Sequence, residues 1–275
     1  MSRLYLVGTP IGNLSDFSPR ALETLESVDF IAAEDTRVTL KLLNHFSIQK
    51  PMISYYQHNM RERGEQIVAR ILAGESCALV TDAGMPAISD PGEDLVRLCA
   101  ENGVEVVAVP GPTAVATALA MSALSTGRFT FEGFLSVNKN ERRAHLNQLL
   151  DERRTMVFYE APHKLLNTLK DFAEAFGGER KISLCRELTK LHEEVIRTTL
   201  AEAVSLYEQN PPRGEFVLVV EGAAEQTMPE ATLEDAVITA KKLIAEGLSA
   251  SAAAKQAAAI TKIKKSDIYR AITED

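Results

Sequence analysis

The sequence has no tryptophan, and its 275 residues include only three cysteines. Cys77, Cys99 and Cys185 are odd in number and widely spaced, which excludes both a disulfide framework and a cysteine-based metal site. We expect them to be small core residues of a cytoplasmic protein, because that compartment keeps thiols reduced.

Long apolar runs are scarce as well. The apolar run at the start of the chain is too short for a signal peptide. The long uncharged stretch at 106–127 contains Pro110, Gly111 and Pro112, and it predicts a strand, a turn and a helix, with no membrane span. With 45% apolar and 25% charged residues, the composition is typical of a soluble globular protein, and the length suggests about two domains.

Basic residues are in the minority, with 30 Lys and Arg against 38 Asp and Glu and a net charge of −8. This charge argues against a non-specific nucleic-acid binder, whose affinity comes from neutralising phosphates. The distribution is uneven, however, because seven bases face four acids from residue 241 onward. The pattern indicates a basic appendage of charge +3 on an acidic body of charge −11.

Short apolar runs alternate with amphipathic stretches in the first half of the chain. This alternation predicts an α/β fold with a mostly parallel, doubly wound sheet. After residue 127 a second set of runs, several rich in β-branched or aromatic residues, predicts a second α/β domain of mixed strand direction. We therefore predict α/β domains at 1–124 and 125–224, a linker at 222–230 and a small helical domain at 231–275.

Three predicted strands of the first domain are followed by turns rich in Gly and Pro, at 8–13, 82–92 and 110–113. None of them completes a phosphate-binding loop or a dinucleotide fingerprint. Lys and Arg are absent between Arg70 and Arg97, whereas a polyphosphate needs a nearby cation. The loops therefore favour an adenosine-type ligand with a cationic end, such as S-adenosylmethionine; the alternative is that they are only tight turns.

Two further clusters follow predicted strands. Asp35 and Arg37 come directly after the second strand, where they either contact a polar substrate or cap and flank a helix. Tyr55, His58 and Asn59 follow the third strand. They either stack on and hydrogen-bond a nucleic-acid base, or they are a half-buried core residue and surface caps.

In the second half, Tyr159, Glu160 and Lys164 lie where a strand passes into a helix, and Arg186 follows the next strand. Lys164 is a candidate for a phosphate or hydroxyl contact, whereas Arg186 and its neighbour Glu187 form either a functional pair or a plain surface ion pair. Gly214 indicates a close backbone approach.

Several motifs in this order resemble those of the tetrapyrrole-methylase-type methyltransferases. They are Leu6-Val7-Gly8-Thr9-Pro10-Ile11-Gly12-Asn13-Leu14, Ala33-Glu34-Asp35-Thr36-Arg37, Thr81-Asp82-Ala83-Gly84-Met85-Pro86-Ala87-Ile88-Ser89-Asp90-Pro91-Gly92 and Pro110-Gly111-Pro112-Thr113. Phe158-Tyr159-Glu160-Ala161-Pro162-His163 and Arg186-Glu187-Leu188-Thr189-Lys190 are similar to the subfamily that methylates the 2′-hydroxyl of a cytidine in bacterial 16S ribosomal RNA, the P-site cytidine at position 1402.

This resemblance implies two α/β domains with S-adenosylmethionine bound in the cleft between them, a homodimer, and 16S rRNA in the small ribosomal subunit as the substrate. It also implies that the helical tail is the small domain often appended in that subfamily, and we expect the tail to hold ribosomal phosphates. Together with the loop chemistry, it assigns the cofactor contacts to Pro10, Ile11, Asp82, Gly84, Met85, Ile88, Thr113, Ala114, Tyr159, Gly214 and Phe216.

The expected chemistry needs a group that accepts the proton of a 2′-hydroxyl or a cation that stabilises the alkoxide. The candidates for catalysis are Asp35, Glu160 and Lys164, and those for substrate binding are Arg37, Tyr55, His58, Asn59 and Arg186. The expected mechanism requires no metal. Two alternatives stay open at this point: a carbon methyltransferase of tetrapyrrole precursors, and a non-catalytic ribosome-binding factor.

Overall fold

The computed structural model describes residues 2–224 and 231–274. The chain divides into two compact units, Met1–Ala223 and Ala224–Asp275. The first unit holds both sheets, so the predicted division at 124/125 falls within a single compact unit and stays a prediction. The predicted linker at 222–230 lies mostly in 225–230, outside the described residues.

The first sheet consists of five short strands: β1 Leu4–Val7, β2 Phe30–Ala33, β3 Met52–Ser54, β4 Cys77–Val80 and β5 Val106–Val109. All of its pairings are parallel, in the order β3-β2-β4-β1-β5. Strands β2 and β4 are buried along their whole length, as expected for a parallel sheet covered on both faces.

Five helices belong to this half of the unit: α1 Pro19–Ser27, α2 Thr36–His45, α3 Met60–Leu72, α4 Glu93–Glu101 and α5 Ala114–Met121. Leu25 of α1 and Leu43 of α2 pack on one face of the sheet, and Ile67 of α3 and Leu95 of α4 pack on the other. The predicted doubly wound arrangement is thereby confirmed.

The second sheet contains β6 Phe129–Phe134, β7 Thr155–Glu160, β8 Lys181–Arg186, β9 Glu194–Thr199 and β10 Phe216–Val220. Its order is β6-β7-β10-β8-β9. Strands β6 and β7 are parallel and the other pairs are antiparallel, which confirms the predicted mixed direction.

Helices cover the two faces of this second sheet unequally. One face packs against three helices, α6 Lys139–Gln148, α7 Pro162–Phe176 and α8 Leu200–Gln209. On the opposite face, Val115 and Leu119 of α5 pack against Val157, Val217 and Val219. Helix α5 therefore joins the first half of the unit to the second sheet.

Strand β6 contains a β-bulge. Phe131 pairs with Val157 and Gly133 pairs with Phe158, so β6 uses two steps where β7 uses one. Glu132 is the extra residue. A bulge of this kind changes the face to which the following side chains point.

The described part of the second unit contains three helices, α9 Leu233–Ala245, α10 Ala250–Thr261 and α11 Lys265–Thr273. Its core is Ile268 together with five alanines, which are Ala236, Ala240, Ala253, Ala254 and Ala257. Small side chains let helix backbones approach closely, and this explains the alanine-rich composition of α10. Within 2–224 and 231–274, no helix is long and apolar enough to cross a membrane.

Candidate functional site

The turns rich in Gly and Pro leave three adjacent strands, since β4, β1 and β5 are neighbours in the sheet. The backbones of Thr9 and Gly84 exchange two hydrogen bonds, with N–O distances of 2.9 and 3.1 Å. The hydroxyl of Thr9 donates to the carbonyl of Thr81 at 3.1 Å. The three turns therefore form one connected surface at the carboxyl ends of the strands, where open α/β sheets bind ligands.

Two glycines bring the first and third turns into backbone contact. A Cβ added to Gly8 would lie 2.7 Å from Gly111 Cα and 2.7 Å from Met85 Sδ. A Cβ added to Gly111 would lie 2.8 Å from the carbonyl oxygen of Gly8. Neither position has room for a side chain, so main chain forms the base of the site.

A cavity of about 780 Å³ lies between these turns and the face of the second sheet that α5 covers only in part. Its size is that of a cofactor or small-ligand site. Nine of the eleven predicted cofactor contacts line it: Ile11, Asp82, Gly84, Met85, Ile88, Thr113, Ala114, Tyr159 and Phe216. The lining also includes polar and aromatic residues outside the predicted set of contacts, among them Glu34, Asp90, Phe131, Phe134, Lys190 and Glu215.

Pro10 and Gly214 are not among the residues that line the cavity. Gly214 has φ +80°, and an added Cβ would lie 2.5 Å from Glu187 Cγ. Its backbone approaches Glu187, so the close approach predicted for Gly214 exists but is made to the protein's own side chain.

Carboxylates crowd the side of the cavity formed by the first sheet. Glu34 Oε2 accepts hydrogen bonds from the hydroxyl of Thr81 at 2.5 Å and from the backbone N–H of Asp82 at 3.3 Å. Burial and the nearby charge of Glu34 raise the pKa of Asp82. The same two causes raise the pKa of Asp90 to about 6. A bound cation would relieve this repulsion between neighbouring carboxylates.

Lys190 is the only basic residue among the described residues that line the cavity. Its Nζ lies 3.0 Å from Glu187 Oε1 and 2.9 Å from Glu215 Oε2. Burial lowers the pKa of Lys190, but the hydrogen bonds to Glu215 and Glu187 outweigh it and the pKa is raised. The ammonium group of Lys190 therefore stays charged, and the two carboxylates hold it on the side of the cavity formed by the second sheet.

Glu160 ends β7 as a buried carboxylate on the cavity wall, with 4% of its surface exposed. Its Oε1 accepts the backbone N–H of Ala161 at 2.8 Å, and its Oε2 accepts the hydroxyl of Thr168 on α7. Arg142 in turn donates to the Thr168 hydroxyl at 2.9 Å. Glu160 is thus a lining residue whose carboxylate is held by α7, whereas Lys164 in the first turn of α7 is not among the lining residues.

Asp35 and Arg37 lie outside the cavity lining. Asp35 is the N-cap of α2 and accepts the backbone N–H of Arg37 at 2.8 Å. Hydrogen bonds from the Arg37 side chain and backbone lower the pKa of Asp35 to about 2, which makes its carboxylate a weak proton acceptor. The structure therefore supports the helix-capping alternative over a catalytic base at this position.

The predicted base-stacking cluster is also corrected. Tyr55 is fully buried in the core beside α3 and has no surface on which a base could stack. Asn59 shapes its own loop, since its side chain accepts from Tyr56 N at 2.9 Å and donates to Ser54 O at 3.1 Å. His58 is exposed and contacts the Tyr56 ring edge-on.

Arg186 is the remaining predicted substrate contact. Its Nε donates to Glu194 Oε2 at 3.0 Å, across the pairing of β8 with β9. It is not among the cavity-lining residues, and it forms an ion pair with Glu194, whereas the predicted partner Glu187 binds Lys190.

Comparison with known proteins identifies the family of the chain. Residues 3–204 match the family of Tetrapyrrole (Corrin/Porphyrin) Methylases, and the chain belongs to this family. The predicted resemblance is thereby confirmed. The protein is a methyltransferase and, as the sequence predicted, S-adenosylmethionine is its methyl donor.

Two of the relatives described here match nearly the whole chain, and a third matches four fifths of it. It is 48% identical over 270 residues to the ribosomal RNA small subunit methyltransferase I of Synechocystis, which covers 98% of this chain and 97% of the relative. It is 43% identical over 275 residues to the protein of the same name from Bacillus subtilis, and this match covers 98% of this chain and 94% of the relative. The Thermotoga maritima protein of that name is 47% identical over 222 residues, covering 81% of this chain and 99% of its own.

Solved structures share the fold at low sequence identity. The methyltransferase CobJ superposes with a TM-score of 0.61 at 16% identity, covering 83% of this chain and 98% of that one. A cobalt precorrin-4 methyltransferase gives 0.60 at 19% identity, covering 80% and 95%. Uroporphyrin-III C-methyltransferase from Thermus thermophilus, complexed with S-adenyl homocysteine, gives 0.54 at 17%, covering 80% and 97%.

The residues of the cavity fit S-adenosylmethionine. Backbone groups and apolar side chains of the three turns suit a nucleoside that carries no phosphate. Glu34, Asp82 and Asp90 suit its sulfonium and ammonium charges, since opposite charge stabilises the ionised form of such carboxylates.

Proposed function

We propose that the protein methylates the ribose 2′-hydroxyl of a cytidine in 16S rRNA, the P-site cytidine at position 1402 of the small ribosomal subunit. We further propose that it acts as a homodimer in the cytoplasm. The names of relatives that match nearly the whole chain at 43–48% identity support ribosomal RNA as the substrate.

The charge of the cavity is the observation that carries the choice of substrate. Among the described residues, five acidic ones belong to its lining, which are Glu34, Asp82, Asp90, Glu160 and Glu215, and Lys190 is the only basic one. A tetrapyrrole precursor carries many carboxylates and would be repelled by this lining. A single nucleoside extruded from RNA brings no such charge cluster, so the lining favours RNA over the tetrapyrrole alternative.

In this proposal the turns after β1, β4 and β5 bind the cofactor, with Ile11, Gly84, Met85, Ile88, Thr113 and Ala114 at its nucleoside and Asp82 near its cationic end. When bound, S-adenosylmethionine supplies an electrophilic methyl group. The protein's task is then to hold the ribose hydroxyl in line with that group, at about 3 Å.

Glu160 is the proposed proton acceptor for the 2′-hydroxyl. Each of its oxygens accepts one hydrogen bond from the protein, and a carboxylate offers about four acceptor sites, so it retains capacity for a substrate proton. Lys190 places a fixed positive charge at the same wall, where it can stabilise developing negative charge. Lys164, Arg37 and Arg186 lie outside the cavity lining and are proposed as contacts for RNA phosphates.

The second unit is proposed to bind ribosomal phosphates. All seven of its bases are exposed, and these are Lys241, Lys242, Lys255, Lys262, Lys264, Lys265 and Arg270. The Thermotoga relative matches 222 residues, close to the length of the first unit alone. This supports a tail that assists RNA binding but is not needed for the chemistry.

The direct test is methyl transfer to small ribosomal subunits purified from cells that lack this protein. Wild-type protein and labelled S-adenosylmethionine are expected to yield 2′-O-methylcytidine, identified by mass spectrometry of the RNA nucleosides. Glu160→Gln, which preserves shape but accepts protons poorly, is expected to bind the cofactor and transfer methyl groups far more slowly. Transfer to a precorrin in place of RNA would overturn the proposal.

A further inference from the structure

The bulge in β6 gathers three aromatic rings on one face of the second sheet. Phe129, Phe131 and Phe134 pair with Thr155, Val157 and Tyr159, which alternate along β7 and so share a face. Without the extra residue Glu132, Phe134 would point to the opposite face, as Phe158 does. The bulge therefore turns the Phe134 ring into the cavity, where it is part of the lining.

Phe134 is exposed for a side chain in a strand. The centroid of its ring lies 5.4 Å from that of Tyr159. The Phe131 ring lies on the same tyrosine, with its centroid 5.0 Å from that of Tyr159. Despite these contacts, 60% of the surface of Phe134 is exposed. An aromatic ring held by neighbours on one side and open to solvent on the other is a surface prepared for a partner.

The opposite rim is close at this point. A Cβ added to Gly133, which has φ +65°, would lie 3.6 Å from Ser89 Oγ in the turn after β4. Asp90 in that turn lines the same cavity as Phe134 and Tyr159. A planar group at Phe134 would thus lie between an aromatic wall and a polar turn.

We propose that Phe134, backed by Tyr159, is the stacking platform for the base of the target nucleotide when it is extruded from the RNA. This inference rests on the proposed function and adds a binding site for the base. Enzymes that modify a nucleotide draw it out of its stack and hold the base against aromatic side chains. Stacking on an aromatic ring tolerates any base and depends on its π-face.

The first experiment compares Phe134→Leu, which keeps an apolar side chain but lacks a π-face, with Phe134→Tyr, which keeps one. Leu72→Ala serves as the control, since Leu72 is equally exposed and lies at the end of α3 outside the cavity lining. Phe134→Leu is expected to raise the KM for small subunits about tenfold, in line with the loss of one stacking contact. Phe134→Tyr and Leu72→Ala are expected to retain the wild-type KM.

Cofactor affinity, measured by calorimetry, separates the alternatives. We expect the Kd for S-adenosylmethionine to be unchanged in Phe134→Leu. An equal loss of cofactor affinity would show that the ring packs on the cofactor, and an unchanged KM for subunits would show that it does not bind the base. Failure of the proposed function itself would appear earlier, as absence of methyl transfer by wild-type protein.

A second experiment uses the absence of tryptophan from the sequence. Phe134→Trp introduces a single fluorophore, and stacking on a base is expected to quench it when an RNA hairpin with the target cytidine is added. Leu72→Trp is the matched control and should show no quenching. Quenching of Phe134→Trp by S-adenosylmethionine alone, or no response to the hairpin at saturating concentration, would contradict the proposal.

Discussion

The guanidinium of Arg37 contacts both carboxylate oxygens of Asp35, with Nη2 2.6 Å from Oδ2 and Nε 3.0 Å from Oδ1. The same carboxylate caps α2 through the backbone N–H of Arg37. One side chain thus satisfies a helix terminus and an ion pair together. Its role is to fix the start of α2.

Asp35→Ala is expected to lower the melting temperature, because the cap and the ion pair are both lost. Asp35→Asn keeps an oxygen that can cap the helix and is expected to lower it less. Both folded variants should retain methyl transfer within a few-fold of wild type. Thermal melts and the transfer assay test this, and loss of turnover in folded Asp35→Asn would return Asp35 to the chemistry.

Asp90 gives a prediction about pH. Burial and the charge of Glu34 raise its pKa from 3.8 to about 6, so the folded protein binds this proton more tightly than the unfolded chain. The contribution of Asp90 to stability is therefore favourable below about pH 4 and is lost as the pH rises through about 6.

Asp90→Asn cannot lose a proton in this range. As the pH falls from about 6 to about 4, we expect the variant to lack the gain in melting temperature that Asp90 gives to wild type. Above about pH 6, we expect the variant to melt at a higher temperature than wild type. Melting curves of both proteins at several pH values measure the difference. Parallel curves would show that the carboxyl of Asp90 is not perturbed.

Thr168 holds Glu160 in place. Thr168→Val removes the hydroxyl at nearly constant volume and leaves a buried carboxylate oxygen without that donor, so it is expected to destabilise the fold by about 1–3 kcal/mol. Thr168→Ser keeps the hydroxyl and is the control. Urea unfolding measures the effect, and equal stability of the two variants would argue against the hydrogen bond.

Deletion of 225–275 tests the role of the second unit. The truncated protein is expected to keep its affinity for S-adenosylmethionine and to bind small subunits more weakly, with a shallower dependence on salt because fewer phosphates are neutralised. Calorimetry and filter binding at several salt concentrations measure both. An equal fall in cofactor affinity would assign the unit a structural role.

Much of the fold could be predicted from the sequence because local signals were strong. A serine followed by a proline is a typical helix start, and α1 begins at Pro19 with Ser18 accepting the backbone N–H of Ala21. The strands Leu4–Val7 and Phe216–Val220 likewise coincide with short apolar runs of the sequence. The three turns rich in Gly and Pro lie at one edge of the sheet because the strands before them are parallel neighbours.

The site was harder to predict because it depends on the direction of single side chains. Of the neighbours Glu34 and Asp35, the sequence favoured Asp35, yet Glu34 lines the cavity and Asp35 caps a helix. Which of the two residues faces the cavity depends on where the strand ends and on which residue begins the next helix. Composition fixes neither. The bulge at Glu132 did have a signal, since Gly133 with φ +65° stands inside the strand, where an isolated glycine often marks a bulge.

The backbone contact between Gly8 and Gly111 has a consequence for how the protein can diversify. A pocket floor made of peptide groups offers no side chain to exchange, so point mutations there disrupt packing before they retune binding. The facing sheet is different, because each ring on β6 can be replaced independently, and a one-residue insertion or deletion can swap which ring is presented. Substitutions in β6 can therefore change which methyl acceptor the protein takes, while the contact of Gly8 with Gly111 stays fixed.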